Sequence, residues 1–408
     1  MNNIGLDDNL IIKRRINIIH CIITFLPNVI SRLISDYDYY LEGKSHTFKY
    51  PFNSLYCITV LPDGRMLSDC YYNNDDDDKH KIIIWNPFGP LASPRQSKTK
   101  NDIILINSDF TLCFDFFPND SLNSSFRIIS GSYDGTIKIW NLETKKCDII
   151  FRAYPYNQDG HTNLISCVAA LPDKRIASGS YDGTIKIWNA STGNCDITFV
   201  TNPSVAVYKI AVILPKKNST DVLVNFSYRI VSATTDDILR IWNPFRSLSP
   251  HRSHRQSQLC DMTLLERYEL YGQLIYRSHL SLINCLDMLP DGRLVSGSGD
   301  KTVKIWNLET GKCDITLQHT ECVKSIGVLP DGRIVSGLSN KTLQIWNVLG
   351  QLRQVQTGKQ NNTNEKCDII LDYHEKQNHS NDWIKYIYIF PDGRIVSISG
   401  DQIVKIWS

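Results

Sequence analysis

The sequence predicts an all-β protein assembled from seven copies of one four-stranded unit. Three observations carry this expectation. An Ile-Trp pair recurs seven times, ending at Trp85, Trp140, Trp188, Trp242, Trp306, Trp346 and Trp407, and only Trp383 stands outside the set. Upstream of each pair lies a turn with proline in second place, as in Leu61-Pro62-Asp63-Gly64-Arg65 and Leu289-Pro290-Asp291-Gly292-Arg293. In four units the first residue of that turn precedes the tryptophan by 17 residues, and extra residues stretch the other three. Self-similarity at a fixed period is the mark of a repeat architecture.

Composition agrees. The chain has 408 residues, 42% hydrophobic and 21% charged, with a formal net charge of +2. That is a globular composition and excludes bulk disorder. The near-neutral balance argues against a protein whose main task is coating nucleic acid.

Taken in chain order, Lys13-Arg14-Arg15 followed by Ile16, Ile18, Ile19, Ile22 and Ile23 resembles a leader only superficially. Asn17, His20 and Thr24 interrupt it, and no small-residue cleavage site follows. No run reaches the roughly 18–20 apolar residues needed to span a bilayer. The expectation is a soluble, cytoplasmic chain, with a surface-lying amphipathic anchor as the alternative.

Each unit then reads as four strands. An alternating run such as residues 55–61 leads into the Pro-Asp-Gly turn, where Pro fixes φ and Gly accepts positive φ. A second strand such as residues 175–180 follows, then a tight turn at Tyr181-Asp182-Gly183. The third strand ends on Ile-Trp, and the fourth opens near a Cys-Asp-Ile sequence such as Cys195-Asp196-Ile197. Period-two alternation with turns every eight to twelve residues or so is an all-β signature.

The stretch Ser178-Gly-Ser-Tyr-Asp-Gly-Thr-Ile-Lys-Ile-Trp-Asn189 resembles the WD-repeat motif, with Asn189 where that family usually has Asp. The resemblance implies a seven-bladed WD-repeat β-propeller over residues 44–408, with residues 1–43 as a short N-terminal α-helical extension. The phrasing Leu-Pro-Asp-Gly-Arg and Thr-Gly-Lys-Cys-Asp-Ile also resembles WD-repeat proteins of giant amoebal DNA viruses, which would place the chain in the host cytoplasm. Ser408 follows the third strand of the seventh unit. Residues 44–50 are expected to supply the missing fourth strand and to pair with residues 403–407, because an unpaired edge invites aggregation.

Several residues look chemical. His161, His279 and His319 each lie ten residues before their Leu-Pro, and Ser178, Ser296 and Ser336 ten before their Trp. Asp182, Asp300 and Asn340 lie six before it. A His, Ser, Asp set suggests a hydrolase triad. The WD-repeat resemblance implies instead a structural network running from His to Ser to Trp188, Trp306 or Trp346, with the turn Asp orienting the His. Threefold repetition favours that reading, and Asn340 departs from the pattern. The first unit has Lys79 at the Asp position, while Asp134, Asp236 and Asp401 hold it in the second, fourth and seventh.

Nine of twelve cysteines occupy repeat positions, so they spread around a ring rather than converge on a metal, and no Cys-x-x-Cys occurs. Free structural thiols in a reducing compartment are expected. Asp75–Asp78 reads as a solvated acidic loop, since a cation cage wraps its ligands around one point. No metal or cofactor is expected.

Binding should then live on loops. Three long connections, 86–101, 243–259 and 347–366, sum to +8 against +2 for the chain. Arg95, Lys98, Arg252, Arg255 and Arg353 would make a basic rim for an acidic protein, nucleic acid or anionic membrane. Flexible solvated inserts are the alternative. The opposite end carries Tyr154, Tyr156, Tyr268, Tyr271 and Tyr373 as candidate partner contacts. Residues 26–37, from Leu26-Pro27 through Ile30, Leu33 and Ile34 to Tyr37, resemble the opening of an F-box, without its second half. That resemblance implies docking to a ubiquitin-ligase adaptor, and a helical pair capping the propeller is the alternative. The expected function is a monomeric, non-enzymatic protein-interaction scaffold, in its specific form a substrate-recognition or adaptor subunit of a ubiquitin-ligase-type complex; a propeller enzyme is the least expected class.

Overall fold

The structure, a computed structural model, describes residues 46–49, 55–72, 79–85, 103–107, 109–117, 127–152, 156, 159–201, 204–214, 228–245, 260–270, 273–348, 369–372, 383–390, 392–401 and 403–407. The expected helical extension over 1–43 lies outside them. The fold is an all-β, seven-bladed β-propeller.

Each blade is a four-stranded antiparallel sheet with its strands in chain order. Blade 1 holds Leu55–Val60, Met66–Tyr72, Lys79–Trp85 and Ile103–Asn107. Blade 2 holds Thr111–Phe117, Arg127–Ser132, Ile137–Asn141 and Lys146–Phe151, and blade 3 Ile165–Ala170, Arg175–Ser180, Thr184–Asn189 and Cys195–Val200. Blade 4 holds Val207–Ile213, Arg229–Thr234, Leu239–Trp242 and Met262–Leu264. Blade 5 holds Ile283–Met288, Leu294–Ser298, Thr302–Asn307 and Lys312–Gln318, and blade 6 Val323–Val328, Ile334–Leu338, Thr342–Trp346 and Ile369–Asp372. Blade 7 takes three strands from the end of the chain, Ile384–Ile389, Ile395–Ser399 and Ile403–Trp407. Its fourth is His46–Lys49, antiparallel to the third with Phe48 opposite Val404.

Turn chemistry sets the blade. In Pro-Asp-Gly-Arg the Gly sits at positive φ, +82° at Gly64 and +87° at Gly292. The Leu amide closes the hairpin onto the Arg carbonyl, and the Asp binds the Arg side chain, as in Arg293 Nε to Asp291 at 2.9 Å. After the tryptophan, the side-chain oxygen of Asn141, Asn189 or Asn307 caps the next turn by accepting two backbone amides. Only an oxygen acceptor is needed there, so Asn serves in place of Asp.

The core is not central. Buried apolar side chains form seven clusters, and each cluster bridges two consecutive blades, including one between blades 7 and 1. The tryptophans fill the wedge: Trp188 meets Phe151 of blade 2 at 5.4 Å and Trp242 meets Phe199 of blade 3 at 5.2 Å. Each buried Leu, Ile or Val contributes roughly 1.5–3 kcal/mol relative to exposure. No single blade can bury both faces alone, so stability belongs to the ring.

Two departures from the sequence reading have local causes. Residues 266–277 are not a plain connection: Glu266–Leu270 pairs with Gln273–Arg277 in a two-stranded sheet of its own between blades 4 and 5. The sequence reading opens the fourth strand of blade 4 at Cys260-Asp261-Met262, but that strand is short and begins at Met262. No helix among the described residues is long and apolar enough to cross a membrane.

Candidate functional site

The repeated His, Ser and Asp residues come together within blades 3 and 5, buried among the strands. In blade 3 the Trp188 indole N–H donates to Ser178 Oγ at 2.7 Å, and that hydroxyl meets His161 Nε2 at 2.7 Å. His161 Nδ1 lies 2.8 Å from Asp182, whose other oxygen accepts the Thr184 amide and hydroxyl. Blade 5 repeats this with Trp306, Ser296, His279, Asp300 and Thr302. With Nδ1–H given to the carboxylate, Nε2 is left to accept the serine O–H.

Burial lowers the basicity of both rings against the pull of the carboxylates. Burial also opposes ionisation of Asp182 and Asp300, but the histidine and threonine bonds outweigh it and hold both well below the usual carboxylate range. Ser178 and Ser296 are wholly buried and each already accepts an indole N–H. A nucleophile must face its substrate, so this arrangement holds structure and does not attack anything.

Blade 6 differs as its sequence does. His319 Nε2 meets Ser336 at 2.8 Å, but Nδ1 turns to the Leu317 carbonyl at 3.1 Å. Asn340 keeps the Thr342 contacts through its oxygen. Its other terminus is an N–H donor, which cannot accept from a ring N–H. Burial pushes His319 down to about 4. The unfolded chain therefore takes this proton first, and the stability from neutral His319 is lost as pH falls from its ordinary value near 6.5 through about 4. Asn340→Asp should restore the carboxylate partner, raise the His319 pKa, and flatten that loss. Urea unfolding at pH 7 and pH 5 checks it: a stability drop between the two pH values as large as in the wild type would contradict it.

Sequence reasoning recognised three of these serines. The structure shows an indole–serine bond in all seven blades, adding Trp85–Ser68 (3.2 Å), Trp140–Ser130 (2.8 Å), Trp242–Ser232 (2.9 Å) and Trp407–Ser397 (2.8 Å). Ser130, Ser232 and Ser397 share the ten-residue spacing, so the signal was present. In blade 1 the second hairpin is longer, which moves the serine to 17 residues before its tryptophan and puts Lys79 in a strand rather than at a turn.

The inter-blade straps were also missed. Asp115 accepts the Ala170 amide of the next blade at 2.7 Å, and Asp287 accepts that of Val328 at 2.9 Å. Tyr388, at the same position of blade 7, donates its hydroxyl to the Ile58 carbonyl of blade 1. Burial raises both carboxyls to about 6, opposed by the amide bonds.

The exposed ends of the blades are where a partner can reach. Second-to-third-strand turns carry Tyr133 (62% exposed) and Tyr181, and the connections into the first strands carry Phe110 and Tyr156 (83% exposed). All four stand at one end of blades 2 and 3. Three of these backbones are tied down: the Tyr133 amide binds the Phe110 carbonyl at 2.9 Å and that of Tyr181 binds Leu164 at 3.1 Å. Tyr181 packs edge-on against Tyr208 of blade 4 at 5.3 Å. Of the tyrosines proposed from sequence, Tyr156 belongs to this surface. Tyr268 does not: its hydroxyl is spent on Glu266 and Ser278, and Lys304 binds it. At the opposite end, between blades 4 and 5, a cleft of about 450 Å³ is lined by Tyr228, Arg229, Asn243, Arg293 and Glu309.

Tyr154, Tyr271, Tyr373 and the rim residues Arg95, Lys98, Arg252, Arg255 and Arg353 lie outside the described residues, as do residues 26–37 and Asp75–Asp78. Among the described residues nine cysteines are free thiols. Among the described residues no group of three or more His, Cys, Asp or Glu side chains could hold a metal ion.

The profile of the family "WD domain, G-beta repeat" matches residues 107–141, 154–189, 272–307 and 311–347. The WD repeat-containing protein pop2 of Schizosaccharomyces pombe is 24% identical over 189 residues, 46% of this chain and 19% of that protein. The ribosome biogenesis protein BOP1 homolog of Drosophila melanogaster is 41% identical over 58 residues, 14% of this chain and 7% of that one. The matched region therefore spans a small part of either relative's length. Among solved structures, the WD40 beta propeller domain of Doa1 superposes with a TM-score of 0.57 at 17% identity, covering 90% of this chain and 96% of that one.

Proposed function

We propose that this chain, a member of the WD-repeat seven-bladed β-propeller family, binds a protein partner on the aromatic end of blades 2 and 3 and serves as a scaffold. One observation carries the reading: Phe110, Tyr133, Tyr156 and Tyr181 are all exposed at one end of blades 2 and 3, and the amides of Tyr133 and Tyr181 are hydrogen-bonded to the Phe110 and Leu164 carbonyls. Tyrosine offers a large contact area at small entropic cost, and fixed turns need little ordering on binding. The histidine–serine sets are buried and committed, which favours a binding role over catalysis.

A more specific version rests on the sequence of residues 26–37. Its F-box-like opening supports docking of a ubiquitin-ligase adaptor, with the propeller selecting the substrate. The free thiols at blade interfaces suit a reducing compartment such as the cytoplasm.

The experiment is quantitative affinity purification from the native host with three baits: the wild type, Tyr133→Ala with Tyr181→Ala, and the chain lacking residues 1–43. The double variant should keep the wild-type thermal midpoint within about 2 °C, since exposed substitutions cost little. It should lose the principal partner at least tenfold, as two interface tyrosines of roughly 1–2 kcal/mol each would require. Unchanged recovery would retire the aromatic surface. Loss of a ligase adaptor only on removal of residues 1–43 would support the adaptor role, and identical recoveries would retire it.

A further inference from the structure

Blade 4 carries an addition that no other blade shows among the described residues. Its outermost strand, Met262–Leu264, is followed after Leu265 by Glu266–Leu270, which returns as Gln273–Arg277. These two strands pair only with each other, so the ribbon has two free edges. A lone two-stranded ribbon is marginal in water, and this one is pinned on one face and at its base. Buried Lys304 of blade 5 binds Glu266 and the Tyr268 hydroxyl. Arg277 donates to the Asp236 carbonyl at 2.6 Å and to the Asp237 carboxylate at 3.1 Å, and the Ser278 amide donates to the Asp237 carbonyl at 3.1 Å. The returning strand is thereby tied to the second-to-third-strand turn of blade 4. Glu266–Leu270, which continues the outermost strand, is left as the peripheral edge.

The opposite face of the ribbon is bare. Arg267, Glu269, Leu274 and Tyr276 are all exposed, with Arg267 across from Tyr276 and Glu269 across from Leu274. Among the described residues nothing pairs with the guanidinium of Arg267 or the carboxylate of Glu269.

The register also fixes which backbone groups point outward. Leu270 and Gln273 close the ribbon across two residues, and the closing pair of such a hairpin is hydrogen-bonded. Bonded and open pairs alternate from there. Glu266 and Tyr268 therefore spend their amides and carbonyls inside the ribbon, and those of Arg267 and Glu269 face away from it at the free edge. Proteins blunt such edges with Pro or with like charge, above all Lys. This edge instead carries one cation and one anion, with Tyr268 between them. Laid antiparallel on a copy of itself about Tyr268, the strand brings Arg267 opposite Glu269 of the second copy, and Glu269 opposite Arg267 of the second copy. At both positions the backbones can exchange N–H and C=O, and at both the side chains form an ion pair on the bare face. The neighbouring registers that keep those backbone bonds lie two residues off, and they set Arg267 on Arg267 or Glu269 on Glu269. The charges thus select one register. A two-fold axis at the peripheral edge puts the second ring on the far side of the joint sheet.

We propose that Glu266–Leu270 is a dimerisation edge, joining two copies of this chain through one continuous sheet sealed by reciprocal ion pairs between Arg267 and Glu269. The occupant is a second copy because the strand complements itself, and a two-fold interface makes each contact twice. The edge is separate from the aromatic surface on blades 2 and 3 and does not depend on it.

The test is sedimentation equilibrium of the full-length chain over a range of micromolar concentrations. A reversible monomer–dimer equilibrium is expected, weakening as salt is raised. Arg267→Glu and Glu269→Arg should each weaken it at least about tenfold, since each turns both ion pairs into like-charge contacts. The double exchange, Arg267→Glu with Glu269→Arg, should restore it. Mixing the two single variants is the sharpest arm: neither suits itself, yet together they place opposite charges at both positions and should form heterodimers. Both residues are exposed, so in dilute solution the thermal midpoints should match the wild type. Tyr133→Ala with Tyr181→Ala should dimerise as the wild type does, which separates this edge from the aromatic surface. A monomer at every concentration, single variants that dimerise as tightly as the wild type, a mixture that stays monomeric, or a dimer lost with the two tyrosines would overturn the proposal.

Discussion

Gly297→Val should destabilise the ring by about 3 kcal/mol, the upper part of the range for overpacking a filled core. A Cβ there lies 2.6 Å from Cys285 Sγ and 2.7 Å from Val323 Cγ1, and both neighbours are buried. One belongs to the same blade and the other to the next, so the added atoms press on the blade interface itself. The backbone is an ordinary strand, so the cost is steric and not conformational. Gly297→Ala should cost less than Val, and adding Cys285→Ala and Val323→Ala should recover part of the Gly297→Ala loss. Urea unfolding reads each step. A Gly297→Val chain as stable as the wild type would mean that blades 5 and 6 do not pack as described.

Ser296→Ala should be nearly as severe, at about 3 kcal/mol. It strands two buried polar groups, the Trp306 indole N–H and His279 Nε2, and each orphaned group costs roughly 1–3 kcal/mol. Ser336→Ala in blade 6 should cost about half as much. There the indole bond is already long at 3.3 Å, and the histidine is held by a carbonyl in place of a carboxylate. Equal losses at the two serines would contradict the view that the turn aspartate tightens the whole set.

How much of this was legible depended on what repeats. The tryptophan period and the Pro-Asp-Gly-Arg turns recur in the chain, so the number of units and their strand order followed from spacing, while the propeller and the structural role of the histidines followed from the resemblance to the WD-repeat motif. Contacts between blades have no period. Asp115, Asp287 and Tyr388 share a position that is Thr59 in blade 1, Ala169 in blade 3 and Gly327 in blade 6, and only the three-dimensional register shows that it reaches the next blade. The hairpin Glu266–Arg277 was absorbed into a connection because the seven-unit grid left it no place. Ser68 was displaced by inserted residues that break the ten-residue spacing.

These features share one consequence. Every buried cluster belongs to two blades, so no blade is stable by itself, and an exposed recognition surface stays fixed only while the ring is closed. Closure rests on four residues, His46–Lys49, laid along Ile403–Trp407. The most direct measurement is hydrogen exchange of the Ile403–Trp407 amides, with the thermal midpoint, in a chain beginning at residue 44 and one beginning at residue 51. The account predicts protected amides in the first chain. In the second it predicts fast exchange there and a midpoint lower by roughly 5 °C or more. Equal protection and equal midpoints would show that the ring is held shut by something other than this strand.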